Sequence, residues 1–281
     1  MRLNGFAAVL PVGVACVAYC VPTYSASAPD SATSSINAIP LELHSPNEPV
    51  LNAKINDIEM PLSFDLGESA PLNLQQSALD MLGAVPTGES TKQQGTDGVF
   101  IAPTYKIARL QMGNAVFTDV TAKLDAPQGT YVPSALVRGT LGSGLLKSYA
   151  LVIDYGRHRM TLLTREAPQL HSLCRGTSVK FSERQAVWQG EAFTEAETDF
   201  GRVTLAWDTG AQMTVLNQLV SHAADQIVSR QFVLGGRHFG PYPFGLLVAD
   251  LPGFDGMIGD DFFLKHRVCI DYPRRRVVIG K

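Results

Sequence analysis

Two stretches decide the fold: Asp65-Leu66-Gly67 and Asp208-Thr209-Gly210, each of which directly follows an apolar run. Downstream of each, the chain repeats a Gly-rich turn and then an Ile-Asp-Tyr strand, at Ile153-Asp154-Tyr155 and at Ile270-Asp271-Tyr272. One sequence pattern is therefore present twice. A duplication of this kind can build a single centre from two carboxylates, one from each copy.

The spacing of the repeat locates an insertion. Gly142 and Gly259 are 117 positions apart, whereas Asp65 and Asp208 are 143 apart, so the first copy holds 26 residues that the second lacks. The segment Gly88–Lys106, with a turn at Gly95-Thr96-Asp97-Gly98, has no counterpart after Asp208. We expect it to form a hairpin that projects from the first copy and serves as a lid over a cleft.

Short strands at regular spacing dominate the rest of the pattern. Apolar-rich runs at Val50–Ile55 and Met60–Phe64, separated by Asn56-Asp57, are typical of a hairpin. The sequence predicts an all-β fold of two homologous lobes related by a pseudo-two-fold axis. Only short helices are expected, around Gln75–Leu82, Gly144–Tyr149, Asn217–Ile227 and Asp261–Lys265.

The composition permits substantial cores and argues against several classes of function. The chain has 281 residues, of which 45% are hydrophobic and 17% charged, and its net charge of −3 gives no electrostatic reason to expect a nucleic-acid partner. The six histidines show no metal-ligand spacing, and the Gly-rich turns lack the dinucleotide-binding pattern. No metal and no cofactor are predicted.

The N-terminus has the pattern of a secretory signal. Arg2 precedes an apolar stretch from Phe6 to Val21 and the small residues Ser25–Ala28. We expect a signal peptide over residues 1–28 and a flexible leader over 29–38, so that the protein is exported, periplasmic or secreted. A lipoprotein anchor at Cys16 is an alternative. No other stretch approaches the roughly 20 apolar residues of a membrane span.

The mature chain is then divided into an N-terminal lobe with the lid hairpin, residues 39–170, and a C-terminal lobe, residues 171–281. Two cysteines remain in it, Cys174 and Cys269. An export route permits a disulfide between them, and a buried free thiol at Cys269 is the alternative.

The two Asp turns predict acid-base chemistry. If the lobes pack about a pseudo-two-fold axis, Asp65 and Asp208 meet at the interface, and two carboxylates in contact share a proton. The ionised partner can take a proton from a water molecule, while the protonated partner donates to a substrate carbonyl oxygen. This is amide hydrolysis without a metal or a covalent intermediate.

These motifs resemble those of the aspartic peptidases, in particular the retropepsin-like and pepsin-like families, over essentially the whole mature chain. Asp208-Thr209-Gly210-Ala211 is similar to their Asp-Thr-Gly signature, and Gly139-Thr140-Leu141-Gly142 and Gly256-Met257-Ile258-Gly259 to their second signature. The resemblance implies a bilobed endopeptidase that acts on a peptide or protein, is monomeric with an internal pseudo-dimer, and carries a flap on the first lobe. It implies catalytic roles for Asp65 and Asp208 and supporting or substrate-binding roles for Gly67, Thr209, Gly210, Ala211 and Tyr105.

The first motif departs from the family pattern at two positions. Leu66 stands where the family has Thr or Ser, so one hydroxyl that braces the two turns is missing. Glu68 replaces a small or hydroxyl residue and would raise the apparent pKa of the pair if it pointed inward. The alternative function is therefore a catalytically weak or inactive protein of this fold that binds peptides.

Overall fold

The computed structural model describes residues 37–44, 47–95, 98–125, 136–183, 191–221, 226–249 and 253–280. The predicted signal peptide, most of the leader and the lipoprotein alternative at Cys16 lie outside these residues. The first half contains β1 (Asn37–Pro40), β2 (Glu42–His44), β3 (Glu48–Ile55), β4 (Ile58–Asp65), β5 (Leu72–Leu74), α1 (Gln76–Leu82), β6 (Pro86–Gly95), β7 (Gly98–Met112), β8 (Ala115–Leu124), β9 (Gly139–Gly142), β10 (Ala150–Asp154) and β11 (Arg159–Leu163).

The second half continues with α2 (Leu170–Leu173), β12 (Thr177–Lys180), β13 (Phe193–Thr198), β14 (Gly201–Trp207), β15 (Val215–Asn217), α3 (Gln218–Ser221), β16 (Gln226–Ser229), β17 (Phe232–Leu234), β18 (Arg237–His238), β19 (Tyr242–Leu247), β20 (Gly256–Ile258), α4 (Asp260–Phe263), β21 (Val268–Asp271) and β22 (Arg276–Ile279). Short 3₁₀ turns lie at Ser143–Leu145, Tyr155–Arg157 and Tyr272–Arg274. The predicted all-β fold with short helices is confirmed.

Each lobe contains an eight-stranded sheet with the same central topology. In the first lobe β3 and β4 form a hairpin, whose turn residues Asn56 and Asp57 have φ of 43° and 70°, as a tight hairpin turn requires. Strand β4 then pairs in parallel with β9, and in the second lobe β14 pairs in parallel with β20 in the same way. In both lobes, therefore, the strand that leads to the aspartate lies beside the strand that leads to the Gly-rich turn.

A six-stranded sheet joins the lobes in the order β1-β11-β10-β21-β22-β12. At its centre β10 and β21 are antiparallel, with Leu151 opposite Ile270 and Ile153 opposite Val268. Leu151 and Val268 are 117 positions apart, and so are Ile153 and Ile270. Exchanging the two copies of the repeat therefore gives the same pairs of residues. This is the pseudo-two-fold relation that the duplication predicts, and it places the axis between β10 and β21.

The lid hairpin accounts for the asymmetry between the lobes. Strands β6 and β7 are antiparallel, with Lys92 opposite Ile101 and a register shift between Pro86 and Ser90. In the described part of the second lobe β16 and β17 occupy the place of β7, and no strand there corresponds to β6. The additional residues of the first copy thus form an extra strand at the edge of its sheet.

The core is continuous through both lobes. One large cluster of buried apolar side chains runs from Ile39 in the first lobe to Ile279 in the second, because alternate residues of the strands face inward. A smaller cluster behind the six-stranded sheet contains Cys174, which directly follows α2, and Cys269 of β21, and these two residues form a disulfide. Among the described residues no helix is long and apolar enough to cross a membrane.

Candidate active site

Asp65 is the last residue of β4 and begins the first of two loops that face each other. The chain turns at once, so the backbone amides of Gly67 and Glu68 donate to Asp65 Oδ1 at 2.8 and 3.2 Å. The backbone of its own loop therefore anchors the carboxyl group. Asp65 is partly accessible to solvent, which leaves room for a reactant to approach.

Asp208 begins the second loop, directly after β14. Its backbone N–H donates to the carbonyl of Ile258 at 3.0 Å, and its carboxylate accepts from the amide of Gly210 at 2.7 Å. The amides of Gly67 and Ala211 also donate to this carboxylate. Asp208 thus receives donors from both loops.

The two loops are in such close contact that their glycines admit no side chain. A Cβ atom on Gly67 would lie 2.6 Å from the carboxyl carbon of Asp208, and one on Gly210 would lie 2.5 Å from the carboxyl carbon of Asp65. The glycine of each loop therefore packs against the carboxyl group of the other, and the two carboxyl groups are hydrogen-bonded to each other. The structure brings together Asp65, Gly67, Asp208, Gly210 and Ala211 at one place.

Thr209 braces the two loops from one side. Its hydroxyl donates to the carbonyl of Phe64 at 2.8 Å and accepts from the backbone N–H of Leu66 at 3.0 Å. Thr209 is fully buried, so these bonds are shielded from water. Leu66 has no hydroxyl to make the reciprocal pair, and its side chain is instead buried in the main apolar cluster.

The environment of the pair separates the roles of its two members. Burial raises the pKa of Asp65 well above its usual range, and the neighbouring Asp208 and then Glu68 raise it further. Burial also raises the pKa of Asp208, but hydrogen bonds from Asp65, Gly210 and Gly67 favour its ionised form. The two carboxyl groups therefore titrate as a pair, and these hydrogen bonds favour the ionised form at Asp208.

Glu68 raises the pKa of Asp65, as expected of an inward-pointing acid, but its carboxylate is hydrogen-bonded to other partners. Oε1 accepts from the amide of Ala70 at 2.7 Å and from Lys123 Nζ at 3.1 Å, and Oε2 accepts from the side-chain amide of Asn73 at 2.6 Å. Glu68 and Lys123 are 9% and 5% exposed. The third carboxylate beside the pair is thus a partner in a buried ion pair.

Two further buried carboxyl groups, those of Asp260 and Glu191, interact electrostatically with the aspartate pair. The sequence analysis did not identify them. Asp260 accepts from the hydroxyl of Tyr155 at 2.6 Å, and burial, together with the charges of Asp208 and Asp261, raises its pKa to about 8. Glu191 is 2% exposed, and among the described residues its Oε1 has no hydrogen-bond partner. Burial first, and then Asp208 and Asp65, raise the pKa of Glu191 well above its usual range.

A sequence signal for one of these groups was available. Glu48 and Glu191 are 143 positions apart, the same spacing as Asp65 and Asp208, and both are buried at the start of the hairpin that leads to the aspartate. Applying the offset of 143 residues to the sequence upstream of the two Asp turns would have identified Glu48 and Glu191 as equivalent positions. Asp260 had no such signal, because its counterpart in the first copy is Ser143.

Other predicted residues lie away from the pair. Tyr105 was expected to face substrate from the lid hairpin, but it is 7% exposed and packs in the main apolar cluster. At this point β7 is paired on both sides, and the register partners of Tyr105 are Pro86 on β6 and Ala122 on β8. Asp271 caps the 3₁₀ turn that follows it, where its side chain accepts from the backbone N–H of Arg274. Among the described residues no group of histidine, cysteine and acidic side chains could hold a metal ion.

Comparison with known proteins supports the fold. No family model matches the chain, and no curated protein matches it. Among solved structures, the aspartic proteinase from Irpex lacteus superimposes with a TM-score of 0.57 and 12% sequence identity, over 88% of this chain and 97% of that one. At this identity the likeness concerns the fold alone, and the chain has an aspartic-proteinase fold.

Proposed function

We propose that this protein is an aspartic endopeptidase in which Asp65 and Asp208 activate water to cleave peptide bonds. The observation that carries the proposal is the mutual packing of the two loops, in which each glycine lies against the carboxyl group of the other loop. A fold needs no such arrangement for stability, since it buries two acidic groups side by side. The arrangement is suited to holding one shared proton.

The chemistry follows from the different environments of the two acids. Ionised Asp208 accepts a proton from a water molecule as the oxygen attacks the peptide carbonyl carbon. Protonated Asp65 donates a hydrogen bond to the carbonyl oxygen, which becomes negative in the transition state. When the tetrahedral intermediate collapses, the C–N bond breaks and the leaving nitrogen takes the proton from Asp208.

The expected pH dependence is an optimum between two limits. Activity requires one proton on the pair, so it falls on the acid side as Asp208 becomes protonated and on the other side as Asp65 loses its proton. Because the pKa of Asp65 is raised, activity extends from acid pH toward neutral pH. We expect cleavage to be inhibited by a statine-type mimic of the tetrahedral intermediate.

Asp208→Asn is the decisive variant. It keeps the shape of the second loop but removes the base, and we expect kcat/KM to fall by about 10²–10⁴-fold or more. The assay is a broad peptide library digested by the purified mature protein from acid to neutral pH, with products identified by mass spectrometry. The exposed Asp57, changed to Asn, is the matched control and should cleave as the wild type does. Equal cleavage by Asp208→Asn and wild type would refute the proposal.

A peptide-binding protein without hydrolytic activity is the second candidate, and Leu66 favours it because the reciprocal brace between the loops is absent. This alternative predicts no cleavage by the wild type and peptide binding that survives Asp208→Asn. Isothermal titration with a peptide recovered from the library would separate the two. Binding that disappears in Asp208→Asn would count against a purely binding role.

We also propose that the protein works as an exported monomer, periplasmic or secreted. The disulfide between Cys174 and Cys269 supports export, because such bonds persist in oxidising compartments. Both aspartates come from one chain, so a second copy is not needed to complete the pair. Fractionation of cells that express the full chain, with sedimentation of the purified protein, tests both statements.

A further inference from the structure

Glu68 is fixed at almost every polar atom, although it replaces a small residue of the family pattern. Its backbone N–H donates to Asp65 Oδ1, and its carbonyl accepts from the N–H and the hydroxyl of Ser143 at 2.8 and 2.9 Å. Its carboxylate is held by Ala70, Asn73 and Lys123. Any displacement of Glu68 therefore moves the loop that carries Asp65.

Lys123 is the cation on which this arrangement depends. It lies on β8, where it is the register partner of Asn73 on β5, so the lysine and the amide hold the same carboxylate from adjacent strands. Burial lowers the pKa of Lys123, while Glu68, Asp125 and Asp65 raise it. A buried ion pair that loses one member leaves an uncompensated charge, which is strongly unfavourable.

We propose that Lys123 is a positioning residue for the aspartate pair: it neutralises Glu68 and holds it against β5, so that the first loop stays closed without a hydroxyl at position 66. The proposal rests on the proposed peptidase function. It also explains how the first motif accommodates Leu66 and Glu68 together. The brace lost at Leu66 is replaced by a brace that runs through Glu68 to β5 and β8.

The charges around Asp65 determine the direction in which the pKa of the aspartate pair should move when Lys123 or Glu68 is replaced. Asp208 and Glu68 raise the pKa of Asp65, and Asp65 in turn contributes to the raised pKa of Tyr155 and Glu191. Lys123 interacts electrostatically with Asp65 as well as with Glu68, although burial lowers its pKa. Removing it should move the titration of the pair upward, and removing Glu68 should move it downward.

A charge cycle tests this prediction. In Lys123→Met, both limbs of the kcat/KM profile should shift to higher pH by about one unit, the size expected for one uncompensated charge at an effective dielectric constant of about 20. In Glu68→Gln the limbs should shift to lower pH, because Lys123 is then unpaired. In the double variant Lys123→Met/Glu68→Gln they should return to the wild-type position. Lys123→Arg, which keeps the charge, should stay closer to wild type than Lys123→Met.

The controls separate positioning from a general loss of structure. The exposed pair Arg202 and Glu195 offers Arg202→Met, which removes a cation from a surface ion pair and should leave both limbs in place. If Lys123→Met does not fold, the comparison of Glu68→Gln with the double variant decides the question. The proposal would be overturned if the limbs of the kcat/KM profile coincided in Glu68→Gln and the double variant. It would also be overturned if the limbs moved in the same direction in Lys123→Met and Glu68→Gln.

The titration can also be followed without turnover. Carboxyl ¹³C resonances of labelled aspartate report the pKa of Asp65 and Asp208 directly, whether or not the protein cleaves peptides. Opposite shifts in the two single variants would support the role of Lys123 even if the library assay found no cleavage, which would refute the peptidase function alone. Resonances that titrate identically in all variants would overturn the role of Lys123 alone.

Discussion

At the scale of single residues, Thr209 joins the two aspartate loops through one buried hydroxyl. Thr209→Val keeps the shape of the side chain but leaves the N–H of Leu66 and the carbonyl of Phe64 without their partner. Because each unsatisfied buried group costs about 1–3 kcal/mol, we expect a loss of about 2–4 kcal/mol in the free energy of unfolding. Urea denaturation measures it.

Thr209→Ser is the matched comparison, because it keeps the hydroxyl and removes only a methyl group. It should retain most of the stability that Thr209→Val loses. Equal stability of wild type and Thr209→Val would contradict the bracing role of this hydroxyl.

The residues of the pair could be predicted from the chain, and their surroundings could not. Asp65 and Asp208 stand out because an apolar strand, an acid and a glycine occur in the same order twice, 143 positions apart. The partner of Glu68 is 55 positions away and meets it only because β5 and β8 are adjacent. No local pattern contains that pairing, so the direction of the Glu68 side chain stayed open until the register was known.

At the scale of elements, the disulfide joins the end of α2, at Cys174, to β21 across 95 residues of chain. A link that closes so long a loop restricts the unfolded chain strongly, so the variant with both Cys174→Ala and Cys269→Ala should lose about 2–5 kcal/mol of stability. Denaturation of wild type and variant, each with and without a reducing agent, checks this. Reduction should bring the wild type close to the variant and leave the variant unchanged.

A variant as stable as the oxidised wild type would contradict that expectation. The chain itself left two alternatives for these cysteines, because their spacing demands no bridge. Their meeting depends on the six-stranded sheet, which places β21 beside the segment that contains α2.

The elements of the fold differ in how far their sequence determines them. The hairpin of β3 and β4 was predictable because its turn and its apolar alternation are local. The helix predicted over Asn217–Ile227 is shorter, since α3 ends at Ser221 and β16 begins at Gln226 to pair with β19. Tyr105 was expected on an open arm of the lid, but the pairing of β7 with β8 carries it into the core. In both cases strand pairing overrode the local preference.

At the scale of the whole molecule, the lobes enclose several acidic groups whose titration is coupled to folding. The pKa values of Asp65, Asp208, Glu191 and Asp260 are all raised by burial. A carboxyl group whose pKa is higher in the folded state keeps its proton on folding at pH values where the unfolded chain has lost it. Its contribution to stability is complete below the unfolded pKa and is lost as the pH rises through the folded pKa.

Asp260 allows this coupling to be measured at one residue. The unfolded pKa of an aspartate is about 3.9 and the folded pKa of Asp260 is about 8, so the wild-type free energy of unfolding should decline between these pH values, by at most about 1.4 kcal/mol per pH unit for this one proton. Asp260→Asn can still accept from the Tyr155 hydroxyl but cannot ionise. Its stability relative to wild type should therefore rise steadily from pH 4 to pH 8, as urea denaturation at each pH would record. Asp57→Asn makes the same change at an exposed site and should run parallel to wild type. Parallel curves for Asp260→Asn as well would mean that this carboxyl group does not hold its proton in the folded protein.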